Sequence, residues 1–67
     1  MNEFFRAFQN YQAKNRNLSC EVSFKNNMCK ILVKNDGKTV ITCQSASPYN
    51  AASLAYNQLI THREELK

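Results

Sequence analysis

The apolar positions of this chain change period twice. Phe4, Phe8 and Tyr11 fall on one stripe at helical spacing, with Met1 and Phe5 beside it and Arg6, Gln9, Asn10 and Ala13 turned away. This predicts an amphipathic helix over about residues 2–14, capped by Asn2, with Glu3 in the first turn where the helix dipole favours an acid. From Leu18 the period drops to two. Leu18, Cys20, Val22 and Phe24 alternate with Ser19, Glu21, Ser23 and Lys25, the pattern of a strand with one buried face over 18–25. Asn26 and Asn27 suit a two-residue turn because Asn tolerates positive φ, and residues 28–34 then form a second strand with Cys29, Ile31 and Val33 inward. In that hairpin Phe24 faces Cys29, Val22 faces Ile31 and Cys20 faces Val33, so the two apolar faces coincide.

The next turn, Asn35-Asp36-Gly37, admits two closures. A two-residue Asp-Gly turn sets Val33 against Val40 and Ile31 against Thr42. A three-residue loop with Gly37 in a left-handed bulge position sets Val33 against Thr39, Ile31 against Ile41 and Cys29 against Cys43. The second is preferred, because it keeps Ile41 and Cys43 with the other apolar side chains, whereas a one-residue slip turns them to water. A third strand over 38–44 follows, and the outer face carries Lys25, Met28, Lys30, Leu32, Lys34, Lys38, Val40 and Thr42. Ser47 is a natural N-cap and Pro48 fits the first helical position, which starts a second helix over about 48–65. Its buried stripe is Ala52, Ala55, Tyr56, Leu59 and Leu66, with Tyr49 and Ile60 at the edges. The expected fold is α+β: an αβββα domain over 1–67, a three-stranded antiparallel sheet with two helices packed on one face.

Composition narrows the class of function. A chain of 67 residues supports one small core, and 43% hydrophobic residues with one Gly and one Pro suit a folded domain rather than a tail. The formal charge is +4, enough to attract polyanions or an acidic protein without naming one. No unbroken apolar run exceeds three residues, as in Ile31-Leu32-Val33, so no membrane association is expected. Cys20, Cys29 and Cys43 are an odd set without a CxxC pair, which points to reduced thiols and a cytoplasmic protein. Strand alternation turns all three inward as small hydrophobes, so no metal site is expected.

The order helix, three antiparallel strands, helix, together with the run Ala51-Ala52-Ser53-Leu54-Ala55-Tyr56-Asn57-Gln58-Leu59, resembles the double-stranded RNA-binding domain over nearly the whole chain. The resemblance implies a duplex held by the first helix, through Arg6, Gln9, Asn10 and Lys14, and by the first hairpin loop, through Lys25, Asn26 and Asn27. Arg16 is a further phosphate contact on that reading. The lysine cluster that enters the family's second helix is replaced here by Gln44, Ser45, Ser47, Tyr49 and Asn50, and the family's Gly-Pro-x-His loop is absent.

No catalytic constellation is visible. A single glycine excludes glycine-rich phosphate loops, the five acids are scattered, and His62 lies late in the second helix. The chain therefore reads as a non-catalytic regulatory or interaction module without cofactors. Its expected contact surface is the outer sheet face, where Leu32 and Val40 would pair between Met28 and Thr42 within a rim of Lys30, Lys34 and Lys38. An acidic partner protein or a second copy would suit that surface, and the alternative is sequence-independent binding of duplex RNA or DNA.

Overall fold

The computed structural model describes residues 3–66. Its elements are α1 (Glu3–Lys14), β1 (Leu18–Lys25), β2 (Met28–Asn35), β3 (Lys38–Ser45) and α2 (Pro48–Thr61), followed by a 3-10 turn at Arg63–Leu66. The proposed cap Asn2 and the flanking Met1 lie outside the described residues. The strands form one antiparallel sheet in the order β1-β2-β3, with the helices packed against one face. The core joins Phe4 and Phe8 of α1 to Leu18, Cys29, Ile31, Val33, Ile41 and Cys43 of the sheet and to Ala51, Ala55, Leu59 and Leu66. Among the described residues no helix is long and apolar enough to cross a membrane.

The first hairpin has the predicted register, with Phe24 opposite Cys29, Val22 opposite Ile31 and Cys20 opposite Val33. Its turn residues Asn26 and Asn27 take φ of 53° and 62°, the left-handed values that a two-residue turn needs and that Asn accepts more readily than most residues. The second hairpin corrects the expected one. It closes by the two-residue turn Asp36-Gly37, with Asn35 opposite Lys38 and Lys34 opposite Thr39. The register then slips by one residue, so that Val33 faces Ile41, Ile31 faces Cys43 and Cys29 faces Ser45. Neither simple closure occurs: Val40 is the additional residue of a bulge. The bulge delivers Ile41 and Cys43 to the core without a three-residue loop, because an additional residue shifts the alternation of side chains by one.

Ser47 caps α2 as expected, its Oγ accepting from the Asn50 N–H at 3.5 Å with Pro48 in the first turn. The stripe that meets the sheet is Ala51, Ala55 and Leu59, a strict four-residue row, so Ala51 takes the central place expected of Ala52. Ala52 and Tyr56 are half-buried beside it, and Tyr49 is 77% exposed. The second helix is also shorter than expected. It ends at Thr61, the His62 N–H donating to Gln58 O at 2.8 Å, and the tighter turn that follows brings Leu66 fully into the core.

Side-chain amides secure this end of the molecule. Asn15 Nδ2 donates to Leu66 O at 3.1 Å and to Asn35 Oδ1 at 3.3 Å, and Asn35 Nδ2 donates to Glu65 O at 2.9 Å. The α1–β1 connection, the end of β2 and the last turn are thereby tied together. Gly37 sits at φ +84° with open space where a Cβ would stand. Gly37→Ala should therefore cost about 1 kcal/mol through backbone strain alone, and Gly37→Asn less, since Asn visits this region more easily. Urea midpoints of the two variants check this, and equal midpoints would contradict it.

Candidate interaction surface

Alternation along the strands puts Ser19, Glu21, Ser23 and Lys25 of β1 on the face away from the helices, together with Met28, Lys30, Leu32 and Lys34 of β2. The two-residue turn and the bulge together change what β3 adds. Thr39, Thr42 and Gln44 share that face through their partners Lys34, Leu32 and Lys30. Lys38 stands opposite Asn35 and so belongs to the helix side, and Val40 packs half-buried against the core. Of the expected outer surface, Met28, Lys30, Leu32 and Lys34 remain together, and Lys38 and Val40 do not. The expected Leu32–Val40 pair is absent. Leu32 lies between Glu21 and Thr42, and both it and Met28 are half-buried. Lys34 Nζ lies 2.8 Å from Glu21 Oε2 across the strands.

Phe5, Tyr49, Leu54 and Ile60 are exposed on the helices, and on the sheet the uncovered large apolar side chains are on the helix side. Val22 and Phe24, expected in the core, are 42% and 70% exposed although their side chains share a face with the buried Ile31 and Cys29. The physical reason is the path of α1. It lies along α2, and Gln12 Nε2 fastens its end to β1 by donating to Leu18 O at 3.0 Å. Leu18 is buried there, Cys20 is half-buried, and the strand beyond them runs clear of cover.

The residues suited to a duplex are all exposed, but they do not form one surface on α1. Gln9 lines a shallow groove with Gln12, Ala13 and Arg16, whereas Asn10 and Lys14 line a separate groove with Tyr11 and Leu66. Arg6 is exposed on the same helix. Lys25, Asn26 and Asn27 stand at the tip of the first hairpin, where Lys25 and Lys30 border one groove together with Ser23 and Gln44.

The three cysteines are free thiols. Burial pushes the Cys20 thiol up from its ordinary pKa, with the Glu21 charge adding to it, and burial alone pushes Cys43 up. Both shifts favour the neutral thiol and oppose nucleophilic or metal-binding chemistry. Among the described residues no group of three metal-ligating side chains comes together. His62 Nδ1 lies 3.3 Å from Glu65 Oε1, a local contact within the last turn.

The hydrogen bond from Lys34, reinforced by its charge, holds the Glu21 carboxyl below the usual carboxylate range. A folded-state pKa below the unfolded one adds stability above the unfolded value, and that contribution disappears as pH falls through the folded pKa. For so exposed a pair the effect on stability is small, but the titration is measurable. Replacing Lys34 by Met should return Glu21 to the ordinary range in an NMR titration, and an unmoved midpoint would show that Lys34 is not the cause. No protein-family model matches this chain, and neither a curated protein nor a solved structure is significantly similar to it.

Proposed function

We propose that this chain is a small non-catalytic interaction module that works by protein–protein contact through its sheet, in a reducing, cytoplasmic setting. The observation that carries this reading is Val22 and Phe24, two large apolar side chains uncovered side by side on an edge strand. Exposed apolar groups beside an unpaired strand edge are a hazard unless something uses them. Lys25, Lys30 and Lys34, on the opposite face of the same two strands, add a basic side that attracts an acidic molecule. An acidic partner or a second copy suits that combination.

The polar double variant Val22→Thr with Phe24→Thr tests it. Thr favours strands and both sites are exposed, so stability should change by less than about 1 kcal/mol while partner capture is lost. Ile31→Glu is the contrasting control, because it buries an unpaired carboxylate and should unfold the domain. Capture that is identical for the double variant and the unmodified chain would overturn the reading.

A second reading is duplex binding in the manner of the double-stranded RNA-binding domain, whose element order this chain resembles. What favours it is the exposed hairpin tip, where Lys25, Asn26 and Asn27 project beside Lys30. On this reading Arg6→Ala combined with Lys25→Ala weakens duplex binding and lowers its salt slope by about one to two units. Absence of binding to duplex RNA and duplex DNA at low salt would retire it.

A further inference from the structure

The free edge of β1 has a defined length. Lys25 and Met28 bracket the two-residue turn, so their backbone groups face each other, and alternation directs those of Ser23, Glu21 and Ser19 toward β2 as well. The N–H and C=O groups of Phe24, Val22, Cys20 and Leu18 therefore point away from the sheet. At Leu18 both are already occupied: its N–H donates to Asn15 O at 3.3 Å, and its C=O accepts from Gln12 at 3.0 Å. Beyond Phe24 the chain leaves extended geometry at Asn26. What remains open is the stretch from Cys20 to Phe24, with Val22 at its centre.

We infer that this open edge pairs with the same edge of a second copy, antiparallel and centred on Val22, to give a continuous six-stranded sheet. The inference rests on the protein-interaction reading above and names its partner. An antiparallel pairing of identical strands is isologous, so each contact occurs twice about a two-fold axis. Centring on Val22 sets Val22 against its counterpart and Cys20 against Phe24 of the second copy. All three outward-facing residues then enter the ladder, with about six backbone hydrogen bonds. The apolar side chains of Cys20, Val22 and Phe24 from both copies meet in one strip across the seam.

Charge and end effects select this register over its neighbours. Centring on Glu21 or on Lys25 would place like charges directly opposite each other. Centring on Ser23 would oppose Glu21 to Lys25 of the second copy, but it would set Cys20 against the turn residue Asn26 and give up two ladder bonds. A ladder hydrogen bond outweighs an exposed ion pair, whose attraction is weakened by solvent and salt and opposed by side-chain entropy. Glu21 is moreover already engaged by Lys34. With Val22 at the centre Glu21 faces Ser23, and Lys25 of the second copy lies diagonally within reach. The ladder also stops short of Leu18, whose backbone groups α1 has already satisfied.

Sedimentation equilibrium over a range from about 10 μM to 1 mM tests the inference, with three variants. The unmodified chain should show a reversible monomer–dimer equilibrium. Val22→Pro removes an outward N–H and no bond to β2, a position where an edge strand tolerates proline, so it should lower the association constant at least tenfold while the circular dichroism stays that of the folded domain. In a Cys20→Ser background, Val22→Cys should form an intermolecular disulfide on mild oxidation, because paired Cα atoms on the two-fold lie about 5.5 Å apart. Ser23→Cys in the same background should not, since its counterparts would be more than about 7 Å apart. A chain that stays monomeric throughout the range overturns self-pairing, as does a dimer indifferent to Val22→Pro. Crosslinking through Ser23 in preference to Val22 overturns the register. Capture of a different protein by a monomeric chain, sensitive to Val22→Thr with Phe24→Thr, would overturn self-pairing while leaving the interaction reading in place.

Discussion

The bulge at Val40 is the constraint from which the arrangement of this domain follows. A two-residue turn at Asp36-Gly37 continued in simple register would have set Val33 against Val40 and sent Ile41 and Cys43 to water. One additional residue between Thr39 and Ile41 reverses that outcome. Ile41 and Cys43 then complete the surface on which Ala51, Ala55 and Leu59 pack, and Val40 fills the margin of the same core. The outer face correspondingly loses its expected apolar centre and becomes chiefly polar and basic. A shift of one residue in one strand thus decides what the outer face of the sheet presents.

The opposite side of the sheet is governed by small side chains. Ala51 and Ala55 let α2 approach β2 and β3 closely, and their burial leaves no room for a bulky residue in that row. With α2 seated there, α1 packs along it through Phe4 and Phe8. Two helices of 12 and 14 residues cover the centre and one side of a three-stranded sheet, and the far half of β1 is left over. The Gln12 side chain, donating to Leu18 O, and the Asn15 carbonyl, accepting from the Leu18 N–H, hold the end of α1 against Leu18, which fixes how much of β1 is covered.

The elements were legible in the sequence because each rests on a local signal. Alternation in 18–25 and 28–34, two Asn at a turn, and Ser47-Pro48 at a helix start depend on backbone preferences within a few residues, and all of them took the expected form. The inward direction of Ile41 and Cys43 was legible too, from the requirement that the apolar faces agree. How the chain achieves it was not, since a two-residue turn with a bulge and a three-residue loop satisfy the same requirement. The exposure of Val22 and Phe24 carried no local signal at all. Their alternation is that of a buried face, and whether a face is buried depends on where α1 lies, which is set by its packing on α2. The same dependence moved the central position of α2 from Ala52 to Ala51. Lys38 left the outer surface because the turn closes on two residues and sets it opposite Asn35, and Val40 because it is the bulged residue.

Coverage also separates what this sheet can recognise on each side. On the outer face Lys30 and Lys34 flank Leu32 two residues to either side, and Lys34 is already paired to Glu21, so attraction there is diffuse and screened by salt within about 10 Å. The edge of β1 is different in kind. Its outward N–H and C=O groups have fixed directions and spacing, and a partner must present a strand to satisfy them. On the proposed reading, charge on the outer face would raise the rate of encounter with an acidic molecule, whereas geometry at the edge would determine what stays bound. Directional groups beside exposed apolar side chains, over a stretch that α1 terminates at one end and the Asn26-Asn27 turn at the other, make the edge the more selective of the two surfaces.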